Sequence, residues 1–196
     1  GSPFKKEELV RYALIGESVA SGAIHGDNVV PSLLGGLVLM RENDPADVIR
    51  LPFIDDLFIL HVHPHVEVMT AASRGRLKSE ISMKDQIRQG ADLAAFIHAM
   101  HTRDKALLSR CMNDHIIAPQ RKQDIPSFDS VRDAVLSAGG MNYDISGSGP
   151  SSFAFFEKAE NALQAGEAVE KLLSAKGIES DVDVTRVDSH GARLVE

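Results

Sequence analysis

The sequence has one cysteine and no tryptophan. Because Cys111 is the single cysteine among 196 residues, the chain cannot form an internal disulfide, and this usage is compatible with a reducing cytoplasm. No uninterrupted apolar run reaches the roughly 18 residues that a membrane-spanning helix needs. The sequence therefore predicts a cytoplasmic protein that does not act on a membrane.

Basic residues are also scarce relative to acidic ones. Lys and Arg number 21 against 28 Asp and Glu, which gives a formal net charge of -7. This balance argues against a nucleic-acid partner or an anionic membrane surface, although a local pocket of Arg and Lys remains compatible with it. Hydrophobic residues make up 43% of the chain, enough for a sizeable core. The length suits one large domain, or one domain plus part of another.

The first part of the chain reads as two helices followed by strands. Hydrophobic periodicity predicts a helix over residues 5–20. Asp27 or Asn28 is expected to cap a short second helix that has Pro31 in its first turn, where a missing N–H costs little. The glycine pair at 35–36 is expected to end that helix, and a buried strand follows.

The rest of the chain alternates strands with helices. The clearest strand is LFILHV at 57–62, and the pattern turns helical from about 69 to 117, where Ile87, Ala91, Ala94 and His98 recur at helical spacing. Ser127 is a good N-cap for the next helix. A strand–turn–strand, a helix and two final strands are then predicted, the last being ARLV at 192–195. This order predicts an α+β sandwich with helices on one face of an antiparallel or mixed sheet.

The first candidate for a functional site is the stretch SGAIHGDNVVPSLLGG, residues 21–36, together with Glu17 shortly before it. His25 and Asn28 flank a predicted helix start, which is a natural site for an anion. The structural alternative is helix capping, which needs only Asp27 or Asn28. Glu17 could reach a magnesium ion held by substrate phosphates, but such a residue is more often simply solvated.

The second candidate is the glycine–serine run DISGSGPSS, residues 144–152. Gly147 and Gly149 alternate with Ser146 and Ser148, so the backbone can approach a ligand closely and present N–H groups to an anion. The run is not a Walker A motif, since no Gly-Lys-Ser/Thr follows, and a tight β-turn explains it equally well.

The three histidines of HVHPHVE suggest a metal site at first sight. His61, His63 and His65 would share one face of a straight strand, and imidazoles are good zinc ligands. Pro64 disfavours that geometry because it breaks the strand ladder, and no clear fourth ligand follows. A metal site is therefore a weaker interpretation of these histidines than an ordinary polar strand end.

Arg74 and Arg121 are the basic residues best placed to recognise a ligand. Arg74 lies near the start of a predicted helix that follows a strand, and Arg121 precedes the Asp-Ile-Pro turn. A planar guanidinium suits bidentate binding of a carboxylate or phosphate. The residues alone leave both compatible with ordinary surface charges.

Three runs together closely resemble the homoserine kinases, a branch of the GHMP group of small-molecule kinases. They are HGDNVVPSLLGG at 25–36, ISGSGPS at 145–151 and DSHGARL at 188–194. The arginine in TAASR and the segment APQRKQDIPSF also match, so the likeness extends from about Glu7 to the C-terminus. ISGSGPS occurs across the GHMP group, whereas the first run is more particular to homoserine kinases.

The resemblance implies a substrate site and an ATP-dependent reaction. Glu17 would be the ligand of Mg²⁺, with ATP as co-substrate; His25 and Asn28 would line the homoserine site as its catalytic and substrate-binding residues. Arg74 and Arg121 would bind the carboxylate end of homoserine, and Ser146, Gly147, Ser148 and Gly149 would support the phosphate region. His25 has a suitable intrinsic pKa for a general base, but a loose transition state does not require one. The same resemblance is compatible with a homodimer.

One family motif is missing from the sequence. The Pro-x-x-x-Gly-Leu-Gly-Ser-Ser-Ala loop that holds the ATP phosphates in these kinases does not occur in it. The resemblance therefore implies the C-terminal two-thirds of such a kinase, inactive alone, with residues 1–51 as a remnant of the N-terminal kinase domain and 52–196 as the C-terminal ferredoxin-like domain. The alternatives are another GHMP kinase, acting on a sugar or a mevalonate-type alcohol, and a non-catalytic binding or regulatory module.

Overall fold

The computed structural model describes residues 4–22, 24–66 and 77–194. Within them the chain divides into two compact units. One comprises the residues up to Ile54 together with those from Val187 onward, and the other runs from Asp55 to Arg186. The C-terminal residues therefore belong to the first unit, although the sequence suggested one boundary after residue 51. The assignment of these parts to named kinase domains stays a prediction.

The first unit is a helix pair packed on a β-hairpin. Its elements are α1 (Lys6–Ser21), α2 (Gly26–Leu34), β1 (Leu37–Asn43) and β2 (Ala46–Leu51). The two strands are antiparallel, with an irregularity in the register between Met40 and Glu42. The predicted helix and strands of this region are therefore confirmed, but the strand expected to be buried, β1, is only partly buried.

A small core holds the first unit together. Val10 and Leu14 of α1 are buried against Val30 and Leu34 of α2, and the hairpin covers them with partly buried apolar side chains. Burying an aliphatic side chain of this size stabilises a fold by about 1.5–3 kcal/mol. This core fixes α2 against the hairpin.

The second unit is a four-stranded antiparallel sheet with helices. The strands are β3 (Phe58–Pro64), β4 (Asp144–Ile145), β5 (Ser152–Phe156) and β6 (Ser180–Thr185), in the order β4-β5-β3-β6. The helices are α3 (Met83–Thr102), α4 (Lys105–Cys111), α5 (Ala118–Arg121), α6 (Phe128–Ser137) and α7 (Ala159–Ser174), with a 3₁₀ turn at Lys122–Asp124. The predicted α+β class with antiparallel pairing is confirmed.

One face of this sheet forms the main core. Leu60 and Val62 alternate with His61 and His63 along β3, so the apolar pair faces α6 and α7 while the histidines lie on the opposite face. Val131 and Val135 supply the apolar stripe of α6. The alternation in the sequence thus decides which side of β3 is buried.

The helix predicted from the spacing of Ile87, Ala91, Ala94 and His98 is confirmed as α3, and these residues lie on its exposed face. Ile87 is 65% exposed, and Ala91, Ala94 and His98 are exposed as well. The buried residues of α3 include Ala99 and Met100. A stripe of small and apolar residues marks the period of a helix, whereas tertiary packing decides which stripe is covered.

Two further expectations fail for local reasons. Ser127 holds the N-cap position of α6, but its side chain makes no capping bond and its Oγ accepts a hydrogen bond from Lys176 Nζ at 2.9 Å. No strand forms over residues 192–194, because the Ala192 N–H bonds the carbonyl of Ser32 instead of a strand partner. Across the described ranges, no helix combines the length and apolarity that crossing a bilayer requires.

Candidate functional site

The His25–Asn28 element lies where the chain enters α2. His25 occupies the N-cap position in extended conformation, and its side chain makes no capping hydrogen bond. Asp27 and Asn28 lie in the first turn with exposed side chains. The prediction that Asp27 or Asn28 caps the helix is wrong, because α2 already begins at Gly26. The first turn therefore presents these polar groups beside its own N–H groups.

Pro31 is in the second turn of α2 and not in the first as predicted. The N–H that a proline lacks would have bonded the carbonyl of Asp27, four residues earlier. Asp27 is exposed, so solvent can satisfy that carbonyl and the helix tolerates the proline. The helix begins two or three residues earlier than the sequence suggested.

The glycines that end α2 contact the C-terminal segment. Gly36 N–H donates to the carbonyl of Asp188 at 2.8 Å, and Ala192 N–H donates to the carbonyl of Ser32 at 2.9 Å. A Cβ on Gly35 would lie 2.4 Å from the backbone nitrogen of Gly191. Two of the motifs that carried the resemblance, HGDNVVPSLLGG and DSHGARL, are thus in direct contact within the first unit.

Asn43 is a residue of this element that sequence reasoning missed. Its Oδ1 accepts a hydrogen bond from the Gly26 N–H at 3.2 Å, across 17 residues of sequence. An asparagine followed by Asp44 and Pro45 reads as an ordinary turn residue, so nothing in the sequence signals this contact. The hairpin therefore caps the helix that precedes it.

Glu17 lies on α1, between the core residue Leu14 and the helix end. It is half-buried. Gly22 ends α1 in the left-handed conformation, which glycine adopts readily. The role of Glu17 as a magnesium ligand is untested and stays a prediction.

The glycine–serine run forms the connection between β4 and β5, which confirms the predicted strand–turn–strand. Ser146 N–H donates to the carbonyl of Ser151, and Gly149 N–H donates to the carbonyl of Ser146. Gly147 and Gly149 both have positive φ, at 61° and 76°. The loop is therefore a closed turn, and its use for phosphate stays a prediction.

Arg121 contacts this loop directly. It is the last residue of α5, and its Nη1 donates to the carbonyl of Gly147 at 2.8 Å. Its Nε is buried, and no acceptor for it lies among the described residues. An unsatisfied buried guanidinium N–H is costly, so this atom suits an acceptor supplied by a ligand.

Arg74 lies outside the described residues. Its expected role beside Arg121 stays a prediction.

His63 of β3 and His65 just after it are held by neighbouring polar side chains. His63 Nδ1 lies 2.8 Å from Ser151 Oγ, next to the glycine loop. His65, just beyond β3, lies 3.0 Å from the Asp181 carboxylate, which raises the pKa of the imidazole. Over 4–22, 24–66 and 77–194, no group of three or more His, Cys, Asp or Glu residues could hold a metal ion.

Asp144 and Cys111 have raised pKa values because they are buried. Asp144 precedes the loop, and burial raises the pKa of its carboxyl group. Burial also raises the pKa of the thiol of Cys111, which lies in the interior. Neither group is therefore charged as readily as it would be in water.

Comparison with known proteins identifies a family model and relatives that agree with each other. A family model described as "GHMP kinases C terminal" matches residues 96–175. A homoserine kinase of Chlorobium phaeovibrioides is 42% identical over 197 residues, covering 100% of this chain and 62% of that protein. The chain thus spans about three fifths of the length of the curated relatives it matches.

Solved structures give the same result. The crystal structure of homoserine kinase from Cytophaga hutchinsonii has a TM-score of 0.93 and 40% identity, covering 97% of this chain and 61% of that chain. A mevalonate kinase of L. major in complex with R-mevalonate has a TM-score of 0.70 and 19% identity, covering 94% of this chain and 58% of that one. The second likeness shows a shared fold alone. The family model shows that residues 96–175 carry a GHMP kinase C-terminal domain, and the relatives and the superposition with a TM-score of 0.93 show that the chain is similar along its length to part of the homoserine kinases.

Proposed function

We propose that the protein containing this chain phosphorylates the hydroxyl group of L-homoserine with ATP, giving O-phospho-L-homoserine for threonine biosynthesis in the cytoplasm. The observation that supports this most is the identity of 42% to a protein named homoserine kinase, sustained over the entire chain. The exposed polar groups at the start of α2 are consistent with it.

In this reaction the hydroxyl oxygen attacks the γ-phosphorus of ATP. A new P–O bond forms, the bond between that phosphorus and the β,γ-bridging oxygen breaks, ADP leaves and the hydroxyl proton is lost. Because the transition state of phosphoryl transfer is loose, the protein contributes mainly by positioning the reactants and stabilising charge.

His25 and Asn28 are proposed to hold the acceptor. Asn28 has an exposed amide that can donate to an oxygen and accept from an ammonium group. His25 is half-buried and is not engaged in capping α2, so its imidazole can bond the acceptor hydroxyl or receive its proton. The N-terminus of α2 adds a partial positive charge that favours the transferring phosphoryl group.

Arg121 is proposed to bind the carboxylate of homoserine, with Arg74 in a similar role. The buried Nε of Arg121 supports this, because a carboxylate oxygen would satisfy it. The bond from its Nη1 to Gly147 orients the guanidinium beforehand. A carboxylate-binding arginine favours an amino-acid acceptor over a neutral sugar.

Ser146–Gly149 is proposed to support the phosphate region, and Glu17 to hold Mg²⁺ that accompanies ATP. A single half-buried carboxylate fits that ion, since protein-bound Mg²⁺ commonly takes one or two carboxylates and completes its shell with phosphates and water. When bound, Mg²⁺ would neutralise part of the phosphate charge.

The test is an acceptor comparison on the complete protein. ADP release would be measured with L-homoserine, mevalonate and a hexose, and the product would be identified by phosphorus NMR. Turnover with homoserine alone is the expected result, and it should be lost in His25→Ala/Asn28→Ala. A preference for mevalonate or the hexose would replace the proposed acceptor, and homoserine binding without turnover of any acceptor would favour a non-catalytic module.

A further inference from the structure

We propose that Asn43 is a positioning residue for the acceptor-binding turn of α2; this rests on the proposed function of His25 and Asn28. Asn43 is the last residue of β1. It touches neither of those side chains in the described contacts and acts on the turn through the backbone of Gly26.

The N-terminus of α2 depends on this contact for capping. The first N–H groups of a helix have no partner within the helix. His25, in the N-cap position, gives no side-chain hydrogen bond, so the N–H of Gly26 bonds Asn43 Oδ1 at 3.2 Å. The backbone between the two proposed substrate residues is thereby attached to the hairpin.

Gly26 is also fitted closely against the hairpin and α1. A Cβ on this residue would lie 2.7 Å from Met40 Cε, 3.0 Å from Leu14 Cδ2 and 3.2 Å from Asn43 Oδ1. The absence of a side chain lets the helix start approach β1 closely enough for the hydrogen bond. Packing and hydrogen bonding therefore fix the same point of the turn.

Because of the register irregularity in β1, Asn43 and not Glu42 lies beside Gly26. Met40 pairs with Val48, whereas Glu42 pairs with Asp47, so β1 carries one extra residue there. In a regular strand, residue 42 would share the face of Met40. The extra residue shifts the alternation, so Glu42 is exposed while Asn43 reaches Gly26. A neutral acceptor thus stands beside a turn that is proposed to bind anionic groups.

The first experiment is amide hydrogen exchange on the 196-residue chain. Asn43→Ala should raise the exchange rate of the Gly26 amide at least about tenfold, as expected for a lost hydrogen bond. Asn43→Asp keeps an acceptor oxygen and should restore that rate to within about threefold of wild type. Asn113→Ala is the matched control, since Asn113 Nδ2 bonds the Arg110 carbonyl at the end of α4. Unchanged exchange at Gly26 in Asn43→Ala would overturn the inference.

The second experiment measures kinetics on the complete protein. Asn43→Ala should raise the KM for homoserine about tenfold and leave the KM for ATP within about twofold. Asn43→Asp should lower the homoserine KM again by at least about threefold but not to the wild-type value, because its charge stands beside a turn proposed to bind anionic groups. Faster exchange with an unchanged homoserine KM in an active enzyme would reduce Asn43 to a structural cap and overturn the inference. If the wild type does not phosphorylate homoserine, the proposed function fails. Calorimetry would then compare the affinity of wild type and Asn43→Ala for homoserine: weaker binding in the variant supports positioning, and equal binding reduces Asn43 to a structural cap and overturns the inference.

Discussion

Asn28 is the residue at which catalysis and stability are most easily separated. It lies third in α2 and is exposed, so its side chain is not needed as a cap. Asn28→Asp should leave the free energy of unfolding within about 0.5 kcal/mol, because a carboxylate in the first turn suits the helix dipole. The kcat should fall at least about tenfold, since the change adds negative charge beside the phosphoryl group and removes an amide donor.

Thermal melts and steady-state kinetics on the complete protein would check both halves of this prediction. Asn161→Asp is the matched control, because Asn161 holds the third position of α7. It should leave kcat unchanged. Normal kinetics in Asn28→Asp would remove Asn28 from the proposed site.

Arg121 should affect the acceptor more than ATP. Arg121→Ala removes a charge-assisted contact to the homoserine carboxylate, which costs about 1.5–3 kcal/mol and raises the homoserine KM roughly ten- to a hundredfold. Because Arg121 also bonds the Gly147 carbonyl, a smaller rise in the ATP KM is expected. Initial-rate kinetics with each substrate varied would measure both. Arg132→Ala, which changes an exposed arginine of α6, should alter neither, and equal rises for both substrates would argue against a carboxylate role for Arg121.

At the scale of elements, the end of α2 and the C-terminal segment depend on two glycines. Gly35 has a φ of 76° and a ψ of 171°, and a Cβ there would lie 2.4 Å from Gly191 N. Gly35→Ala should therefore lower the free energy of unfolding by about 2–4 kcal/mol through backbone strain and overpacking. Urea denaturation would measure this loss. Gly16→Ala in α1 is the control: a Cβ there would meet nothing within 4 Å, so it should be neutral or stabilising.

The contact between the end of β3 and β6 should make stability depend on pH. Asp181 raises the pKa of His65 above 6.5, so this contribution is present below that pH and is lost as the pH rises through the folded-state pKa. His65 in turn lowers the pKa of Asp181 below 3.8, so that contribution is lost as the pH falls through the folded-state value. The pair therefore stabilises the fold mainly between these values.

Thermal melts of His65→Gln across the pH range would test this. The difference in Tm from wild type should be largest near about pH 5.5 and vanish by about pH 9. His101→Gln, on the exposed part of α3, is the control and should show no such window. A Tm difference that does not change with pH would show that His65 acts by packing alone.

At the scale of the whole molecule, the 196-residue chain should not carry out the reaction by itself. The family's ATP-phosphate loop is missing from its sequence, and phosphoryl transfer needs the nucleotide held in place. No ADP release above background is therefore expected with ATP, Mg²⁺ and homoserine, whereas the complete protein should turn over. Robust turnover by the chain would show that its own residues hold ATP.

The sequence by itself determined the family, the α+β class and most helices and strands. The period of the apolar residues was sufficient to predict these elements, because the buried side of a helix or strand must be apolar whatever it packs against. The sequence predicted the strand LFILHV and placed His61 and His63 on one face of it, and Leu60 and Val62 on the other face are buried in the core. The runs HGDNVVPSLLGG and ISGSGPS likewise identified the family, which the relatives of the whole chain bear out.

Only the tertiary structure decided which residues from distant parts of the chain contact the motif HGDNVVPSLLGG. Local propensity placed the start of α2 at Asp27 or Asn28, but Asn43 bonds Gly26 across 17 residues and starts the helix there. Local propensity also predicted that Gly35 ends the helix, but it did not predict that Gly191, near the far end of the chain, packs against Gly35. Sequence patterns record which groups must be buried and which local turns are allowed. A hydrogen bond or close approach between distant segments has no periodic signature, because it depends on how whole elements pack.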